Sequence, residues 1–342
     1  MLAFALMMCV VTSDDPWQAQ HSGTTARLRG LCVVDENTAW ASGQHGTVLR
    51  TTDGGKTWKR LEIPDAADCD FRDIEAFDKT TAWILAIGPG ERSRIYKTGD
   101  AGLTWKLVHQ LADPRGFLDA IAFWDPNHGI AVGDPVEGKF MVLVTNDAGE
   151  SWHAPEQIKM PAALEREGAF AASGTCLVAD GNERAYFATG GAGVSRVFHT
   201  PDQGRTWQFA NTPILAGNAS SGAFSLAFHG ERQGIAVGGD YQNPDHTTSL
   251  IAITENAGET WIKPRIRGPR GYRSCVAWSP GTDALVAVGP TGTDILRAGA
   301  TAWERLSEQG FHACAFAKQG GLGWAVGENG AIARIELPLK PR

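Results

Sequence analysis

Short apolar segments recur in pairs along the whole chain, and most second members end in glycine. The first members of the seven pairs are Gly30–Val34, Ile74–Phe77, Ala120–Trp124, Ala172–Val178, Ser225–Phe228, Cys275–Trp278 and Cys314–Ala317. The second members are Ala39–Gly43, Ala82–Gly88, Gly129–Gly133, Ala185–Gly190, Gly234–Gly238, Ala284–Gly289 and Gly323–Gly327. Runs of this length, rich in small and branched side chains and bounded by turn residues, predict buried β-strands. The pattern therefore predicts an all-β fold of seven similar units.

A turn motif with a fixed order of residues follows each of the first five pairs. Its copies are Thr52–Trp58, Gly99–Trp105, Asn146–Trp152, Pro201–Trp207 and Glu255–Trp261, and Ala298–Trp303 is a sixth copy that lacks the Asp. The closing tryptophans stand at positions 58, 105, 152, 207, 261 and 303. These intervals, roughly 40–55 residues, match one blade of a β-propeller.

Local hydrogen bonds and backbone geometry explain which residues the turn motif contains. Its Asp accepts hydrogen bonds from following backbone N–H groups, and the glycine two positions on takes a positive φ. The Ser or Thr supplies a second side-chain bond, and the Trp packs between adjacent sheets. We therefore expect the motif Asp residues to be structural.

The seventh unit lacks a fourth strand of its own. It ends at Ile332–Leu337 without the turn motif, while Trp17–Gln20 near the N-terminus resembles the segment that follows each motif turn. An N-terminal strand that completes the last unit would remove the exposed edges of an open array. The sequence thus predicts a seven-bladed β-propeller of four-stranded blades, a single domain over residues 14–342, closed by an N-terminal strand.

Composition and charge limit the classes of partner and cofactor that we expect. The chain has 342 residues with 41 glycines, and its net charge is −7. An acidic chain with no broad basic surface argues against a nucleic-acid partner. No Gly-x-Gly-x-x-Gly joins a strand to a helix, no Cys-x-x-Cys occurs, and the histidines show no metal-ligand spacing, so we expect neither a cofactor nor a metal.

The first residues resemble a short signal peptide. Met1–Val11 is apolar and is followed by the polar Thr12–Asp15. We expect residues 1–13 to direct export to the periplasm or the extracellular space. The alternatives are a lipidated Cys9 and an uncleaved N-terminal strand or tail of a cytoplasmic protein. No other segment is apolar over the length needed to cross a bilayer, so we expect no transmembrane segment.

Charged and aromatic residues occupy equivalent places in several units. Three arginines and one histidine stand just before inner strands, and other polar residues stand where second strands end or where the fourth unit begins. At the mouth of the central channel we expect Arg29, Arg72, Asp134, Glu167, Asp240, Tyr241, Arg273 and His312. Such guanidinium groups clamp a carboxylate of a partner. The alternative is that arginines and carboxylates pair with each other and only shape the channel.

One short segment is strongly basic. Lys263–Arg270 contains four cationic residues on an otherwise acidic chain. Such a run is either a solvated loop or a docking site for an acidic partner.

The turn motif is similar to the Asp-box, or bacterial neuraminidase repeat. Over residues 16–338 the chain resembles the photosystem II stability/assembly factor-like family of seven-bladed propellers, in particular at Gly133–Phe140, Glu167–Thr175 and Gly234–Tyr241. These stretches resemble a bacterial branch often labelled as oxidoreductases or glycosyl hydrolase repeat proteins. The family resemblance implies a binding or assembly protein, and the sequence gives no support to the oxidoreductase label.

Sialidases share the Asp-box but differ at their catalytic residues. Membership would require an Arg-Ile-Pro motif near the N-terminus, and the nearest string here is Glu62-Ile63-Pro64. We therefore expect a non-catalytic binding or assembly scaffold that contacts a protein or peptide through the channel mouth. The alternative is a glycan-active hydrolase or a glycan-binding lectin on an Asp-box propeller.

Overall fold

A computed structural model describes residues 15–339. Within them, seven antiparallel sheets form the blades of a closed ring, as predicted. The expected signal peptide, residues 1–13, lies outside the described residues. None of the helical segments in the described part has the length and apolar character needed to span a bilayer.

Each blade begins with a strand that faces the central channel, and each following strand lies further out. The innermost strands are Leu28–Val33, Asp70–Ala76, Leu118–Phe123, Leu177–Asp180, Ser221–His229, Cys275–Ser279 and Ala313–Phe316. The second strands are Ala39–Gly43, Ala82–Ile87, Gly129–Val136, Arg184–Ala188, Gln233–Asp240, Ala284–Gly289 and Leu322–Val326. The third strands are Thr47–Thr51, Arg94–Thr98, Lys139–Thr145, Ser195–Thr200, Ile251–Thr254, Gly292–Leu296 and Ile332–Glu336. Two short 3-10 turns, Gly90–Arg92 and Glu328–Gly330, complete the assigned elements.

The outermost strands vary more than the sequence pattern predicts. Four blades supply their own, which are Lys59–Leu61, Lys106–Gln110, Gln208–Thr212 and Glu304–Ser307. In blades 3 and 5 the fourth strand is reduced to one bridge each, Val144 to His153 and Ile253 to Ile262. Pro155 and Pro264 follow these bridges closely, and proline cannot donate to a ladder of hydrogen bonds.

The N-terminal strand closes the ring, as the sequence predicts. Gln18–Gln20 pairs antiparallel with the third strand of blade 7, with Gln18 opposite Arg334 and Gln20 opposite Ile332. The side chain of Gln20 then joins two blades, since its Oε1 accepts from the indole N–H groups of Trp58 at 2.9 Å and Trp324 at 3.0 Å.

The apolar core is divided into layers between neighbouring blades. Each motif Trp belongs to the layer between its own blade and the preceding one; Trp105, for example, packs between blades 1 and 2 and meets Trp40 edge-on at 6.4 Å. The turn chemistry is also as predicted. Asp53 accepts from the backbone N–H of Thr57 at 2.9 Å and from its hydroxyl at 2.7 Å, while Gly55 has φ +81°. These bonds lower the pKa of Asp53 to about 2.

Blade 4 departs from the prediction on its channel side. Its innermost strand begins at Leu177 instead of Ala172, because the preceding residues turn across the channel. Gly174 makes this turn with φ +78°, and a Cβ at this position would collide with the side chain of Asp73. The segment before it, residues 168–173, which we call the crossing segment, therefore lies at the mouth of the channel and not in the innermost strand.

Candidate functional site

A cavity of about 460 Å³ lies at one end of the central channel. We call it the mouth pocket. Its lining consists of three basic residues, four aromatic residues and four smaller ones: Arg29, Arg72, His312, Phe170, Phe224, Tyr241, Tyr272, Ala171, Ala172, Ser274 and Pro290. Five different blades and the crossing segment of blade 4 contribute these residues, so only the closed ring assembles the pocket.

Two arginines hold the crossing segment in place. Arg29 Nη1 donates to the carbonyl of Ala172 at 2.9 Å, and Arg72 Nη1 donates to the carbonyl of Ala171 at 3.1 Å. Arg72 also pairs with Asp70 at 2.9 Å. Arg29 has no carboxylate within 4 Å among the described residues, and its Nε is buried without a hydrogen-bond partner there. Burial, together with the charge of Arg72, lowers the pKa of Arg29 to about 10.

His312 adds a neutral imidazole beside the arginines. Its Nε2 lies 2.8 Å from Oε1 of Glu328. Burial, with the positive charge of Arg29, lowers the pKa of His312 to about 4. The imidazole is therefore uncharged near neutral pH, and the positive charge of the pocket comes from the two guanidinium groups.

An aromatic cluster faces these basic residues. Phe170 stacks on Phe224 with ring centroids 3.9 Å apart, and Tyr272 meets Phe224 edge-on at 4.8 Å. Tyr241 lies at the outer edge of the cluster and is 48% exposed. Aromatic side chains of this kind supply large contact areas with little loss of conformational entropy.

The structure brings together four of the eight residues predicted for the mouth. Arg29, Arg72, Tyr241 and His312 line the pocket. Asp240, next to Tyr241, is instead engaged in its own turn, where it accepts from the hydroxyl of Ser220 at 2.6 Å and from the backbone N–H of Gln242 at 2.9 Å.

Two predicted mouth residues form buried ion pairs away from the pocket. Arg273 donates through Nε to Asp294 Oδ2 at 2.9 Å, and neither side chain is exposed. Glu167 pairs with Arg196 at 2.8 Å and accepts from the hydroxyl of Thr189 at 2.7 Å. These two pairs agree with the alternative in which arginines and carboxylates pair with each other, although each pair lies within one blade.

Asp134 supports the pocket from behind. Its Oδ1 accepts from the backbone N–H of Ala169 at 3.1 Å, which helps to fix the crossing segment. Burial raises the pKa of Asp134 to about 6. Burial and the charge of Asp134 also raise the pKa of Asp119, which is 2% exposed and whose Oδ2 has no partner among the described residues.

Asp134→Asn is expected to change how stability depends on pH. The pKa of Asp134 in the folded state exceeds the ordinary value of 3.8. The stability that protonated Asp134 contributes is therefore complete below about pH 3.8 and is lost as the pH rises through about 6. Asn keeps the acceptor oxygen without the charge, so the variant should gain stability relative to the parent across this range. Denaturant unfolding at several pH values measures the difference.

Asp147→Asn is the matched control on the same blade. The hydroxyl of Ser151 lowers the pKa of Asp147 to about 2, so this group stays ionised in both states above the ordinary pKa. Its variant should differ from the parent by a constant amount between about pH 4.5 and 6.5. A difference for Asp134→Asn that is equally constant would contradict the expectation.

Of the four aromatic residues in the pocket, the sequence predicted only Tyr241 at the mouth. Phe170 stands within a stretch that carries the family resemblance, and Tyr272 follows the basic segment, but Phe224 has no local signal. Only the turn of blade 4 across the channel brings Phe170 onto Phe224.

In the described part no group of three or more His, Cys, Asp and Glu side chains is arranged to hold a metal ion.

The ring of seven blades with Asp-box turns and a pocket at its mouth defines an Asp-box β-propeller. The family model described as photosynthesis system II assembly factor YCF48 matches residues 9–113. The photosystem II stability/assembly factor HCF136 of Oryza sativa subsp. japonica is 27% identical over 280 residues, which are 74% of this chain and 65% of that protein. The chain thus spans just under two thirds of that relative's length.

Two further matches concern the fold and a glycan-active enzyme. A solved structure titled YCF48 bound to D1 peptide has a TM-score of 0.67 and 17% identity, covering 95% of this chain and 96% of that one. Xyloglucanase Xgh74A of Acetivibrio thermocellus is 24% identical over 240 residues, which are 61% of this chain and 26% of the enzyme. The chain is thus similar to photosystem II assembly factors, and its likeness to the solved structure shows the propeller fold.

Proposed function

We propose that the protein is a non-catalytic binding or assembly scaffold that receives a peptide segment of a protein partner in the mouth pocket. The observation that carries the proposal is the opposition of two guanidinium groups and an aromatic cluster across one cavity. Arg29 and Arg72 suit a carboxylate of the segment, and Tyr241 and Tyr272 suit an apolar or aromatic side chain next to it. Assembly factors among the relatives, and a peptide bound to a propeller of the same fold, favour this role.

The pocket is well prepared for such a ligand. Arg29 and Arg72 already donate to the carbonyls of the crossing segment, so their side chains are ordered before a partner arrives. Preorganised groups lose less entropy on binding. We further propose, from the N-terminal sequence, that the protein acts outside the cytoplasm.

Replacement of both arginines tests the carboxylate contact. We expect Arg29→Gln/Arg72→Gln to weaken binding of a labelled peptide with one Asp beside one Phe by at least about tenfold, because charge-assisted hydrogen bonds contribute about 1.5–3 kcal/mol each. Fluorescence anisotropy measures the affinity. The same peptide with Asn for Asp should bind parent and variant equally weakly.

Two controls separate binding from folding. Lys59→Gln/Lys79→Gln removes the same charge from exposed positions on other surfaces and should leave the affinity unchanged. Tyr241→Ala removes a half-exposed ring with little risk to the fold and should also weaken binding. Peptide affinities that do not respond to either the arginines or Tyr241 would refute a peptide site in this pocket.

A glycan ligand is the second candidate because of the xyloglucanase match. The residues that line the mouth pocket include no Asp or Glu, although a glycosidase needs a pair of them facing its substrate. Xyloglucan oligosaccharides offered in the same assay distinguish the two. Binding of the oligosaccharide in place of every peptide would favour a lectin, and release of reducing ends would favour a hydrolase.

A further inference from the structure

A second surface with a distinct chemistry lies on the outer side of blade 5, where a full fourth strand is missing. The third strand Ile251–Thr254 meets the outer segment only at Ile253 and Ile262, whose backbone groups exchange two hydrogen bonds of 2.9 Å. Beyond Ile262 the chain turns away to blade 6. There Arg267 forms a parallel bridge with Ala302, and its carbonyl accepts from the N–H of Trp303 at 2.9 Å.

The departure of this segment opens a groove. Residues 247–251 form one wall, and the other consists of Lys263, Pro264, Ile266, Arg267 and Gly268, around a volume of about 200 Å³. Along the first wall the edge of Ile251 has no strand partner on its outer side within the described residues. An unpaired strand edge has backbone donors and acceptors that an added chain can use.

The second wall is basic. Lys263, Arg265, Arg267 and Arg270 are all exposed, and none of their side-chain nitrogens lies within 4 Å of a carboxylate oxygen among residues 15–339. The first three alternate with the less exposed Pro264 and Ile266. The chain bends at Arg265 and Ile266, so the basic segment is not an extended strand. It places a row of unpaired cations at and beside the groove, on a chain whose net charge is −7.

The row is also held in position. Its backbone is fixed at Ile262 by the bridge to blade 5, at Arg267 by blade 6, and at Arg270, whose N–H donates to Asp294 Oδ2 at 3.1 Å. Pro264 and Pro269 further restrict the chain between these points. A solvated loop would need no such anchoring. The fixed row can therefore bind an anionic ligand with little ordering cost.

We propose that this groove docks an acidic segment of a partner protein, with carboxylates facing Lys263 and Arg267 in the groove and Arg265 beside it. The charge of these cations is complementary to such a segment, and the unpaired strand edge at Ile251 lines the same groove. The proposal is independent of the mouth pocket and adds a second contact surface to the propeller.

The test uses a labelled octapeptide that alternates Glu and Thr, and the same peptide with Gln for Glu. Arg265→Glu/Arg267→Glu should weaken binding of the acidic peptide at least about tenfold, and about 0.5 M salt should weaken binding to the parent protein. Lys59→Glu/Lys79→Glu makes the same charge change at exposed positions elsewhere and should leave the affinity within about twofold. Equal losses in both variants would overturn the proposal, since they would report only net charge.

A second variant tests the role of the groove without changing any charge. Thr247→Trp fills the groove from its exposed wall and retains every cation, so it should also weaken the acidic peptide. An unchanged affinity would contradict docking in the groove. Phosphatidylglycerol vesicles provide the competing outcome: if they bind in an Arg265- and Arg267-dependent manner and the peptide does not, the surface is a membrane contact and the proposal fails. Arg29→Gln/Arg72→Gln should leave this binding intact, which distinguishes it from the mouth pocket.

Discussion

Asp294→Ala is expected to destabilise the protein by about 3–5 kcal/mol, because it leaves Arg273 buried without its anion. Both side chains are fully buried, and Asp294 also accepts from the backbone N–H of Arg270 at 3.1 Å. Denaturant unfolding followed by tryptophan fluorescence measures the loss.

Glu304→Ala is the matched control on the same blade. Glu304 pairs with Arg297 at 2.9 Å, but the two side chains are 63% and 50% exposed. An exposed pair of this kind contributes about 0–1 kcal/mol. If Asp294→Ala lost no more stability than Glu304→Ala, the buried pair would not have the structural role assigned to it.

Trp17→Ala is expected to cost about 3–5 kcal/mol, the usual range for removal of a buried tryptophan. Trp17 is 3% exposed, packs against Phe311 at 5.2 Å and donates through its indole N–H to the hydroxyl of Thr293 at 3.2 Å. It anchors the short strand that closes blade 7. The loss should therefore appear both in denaturant unfolding and in faster hydrogen exchange at Ile332–Arg334.

Gln18→Ala tests whether closure of blade 7 depends on Trp17 itself or on any side chain of the N-terminal strand. Gln18 is exposed on the same strand, so its replacement should change stability by less than about 0.5 kcal/mol. Trp17→Ala with unchanged exchange at Ile332–Arg334 would show that closure does not depend on the anchor.

The repeat made the ring predictable, because periodic glycines and tryptophans report backbone geometry that every blade must share. The reduced edges of blades 3 and 5 were not predicted, since they depend on prolines beyond the repeated motif. The mouth was only partly predictable. Arg72 and Arg273 occupy equivalent repeat positions, yet Arg72 lines the pocket and Arg273 does not.

The difference between these two arginines arises on another strand. Blade 6 places Asp294 on its third strand within reach of Arg273, whereas Arg72 pairs with Asp70 two residues before it and extends to Ala171. Which partner an arginine finds depends on side chains that are distant in sequence. The crossing segment likewise depends on a single turn at Gly174, whose effect on the channel only the assembled blades reveal.

The pairing of Gln18–Gln20 with Ile332–Glu336 also sets the timing of biogenesis. The chain emerges N-terminus first from a ribosome or a translocation channel, and at about 5–20 residues per second the partner strand follows the first one by some 15–60 s. During that interval blade 1 has no neighbour on one side and the first strand has no place to pair. A nascent chain of this architecture therefore presents an open edge for most of its synthesis, and a helper that shields such edges would act before the last blade appears.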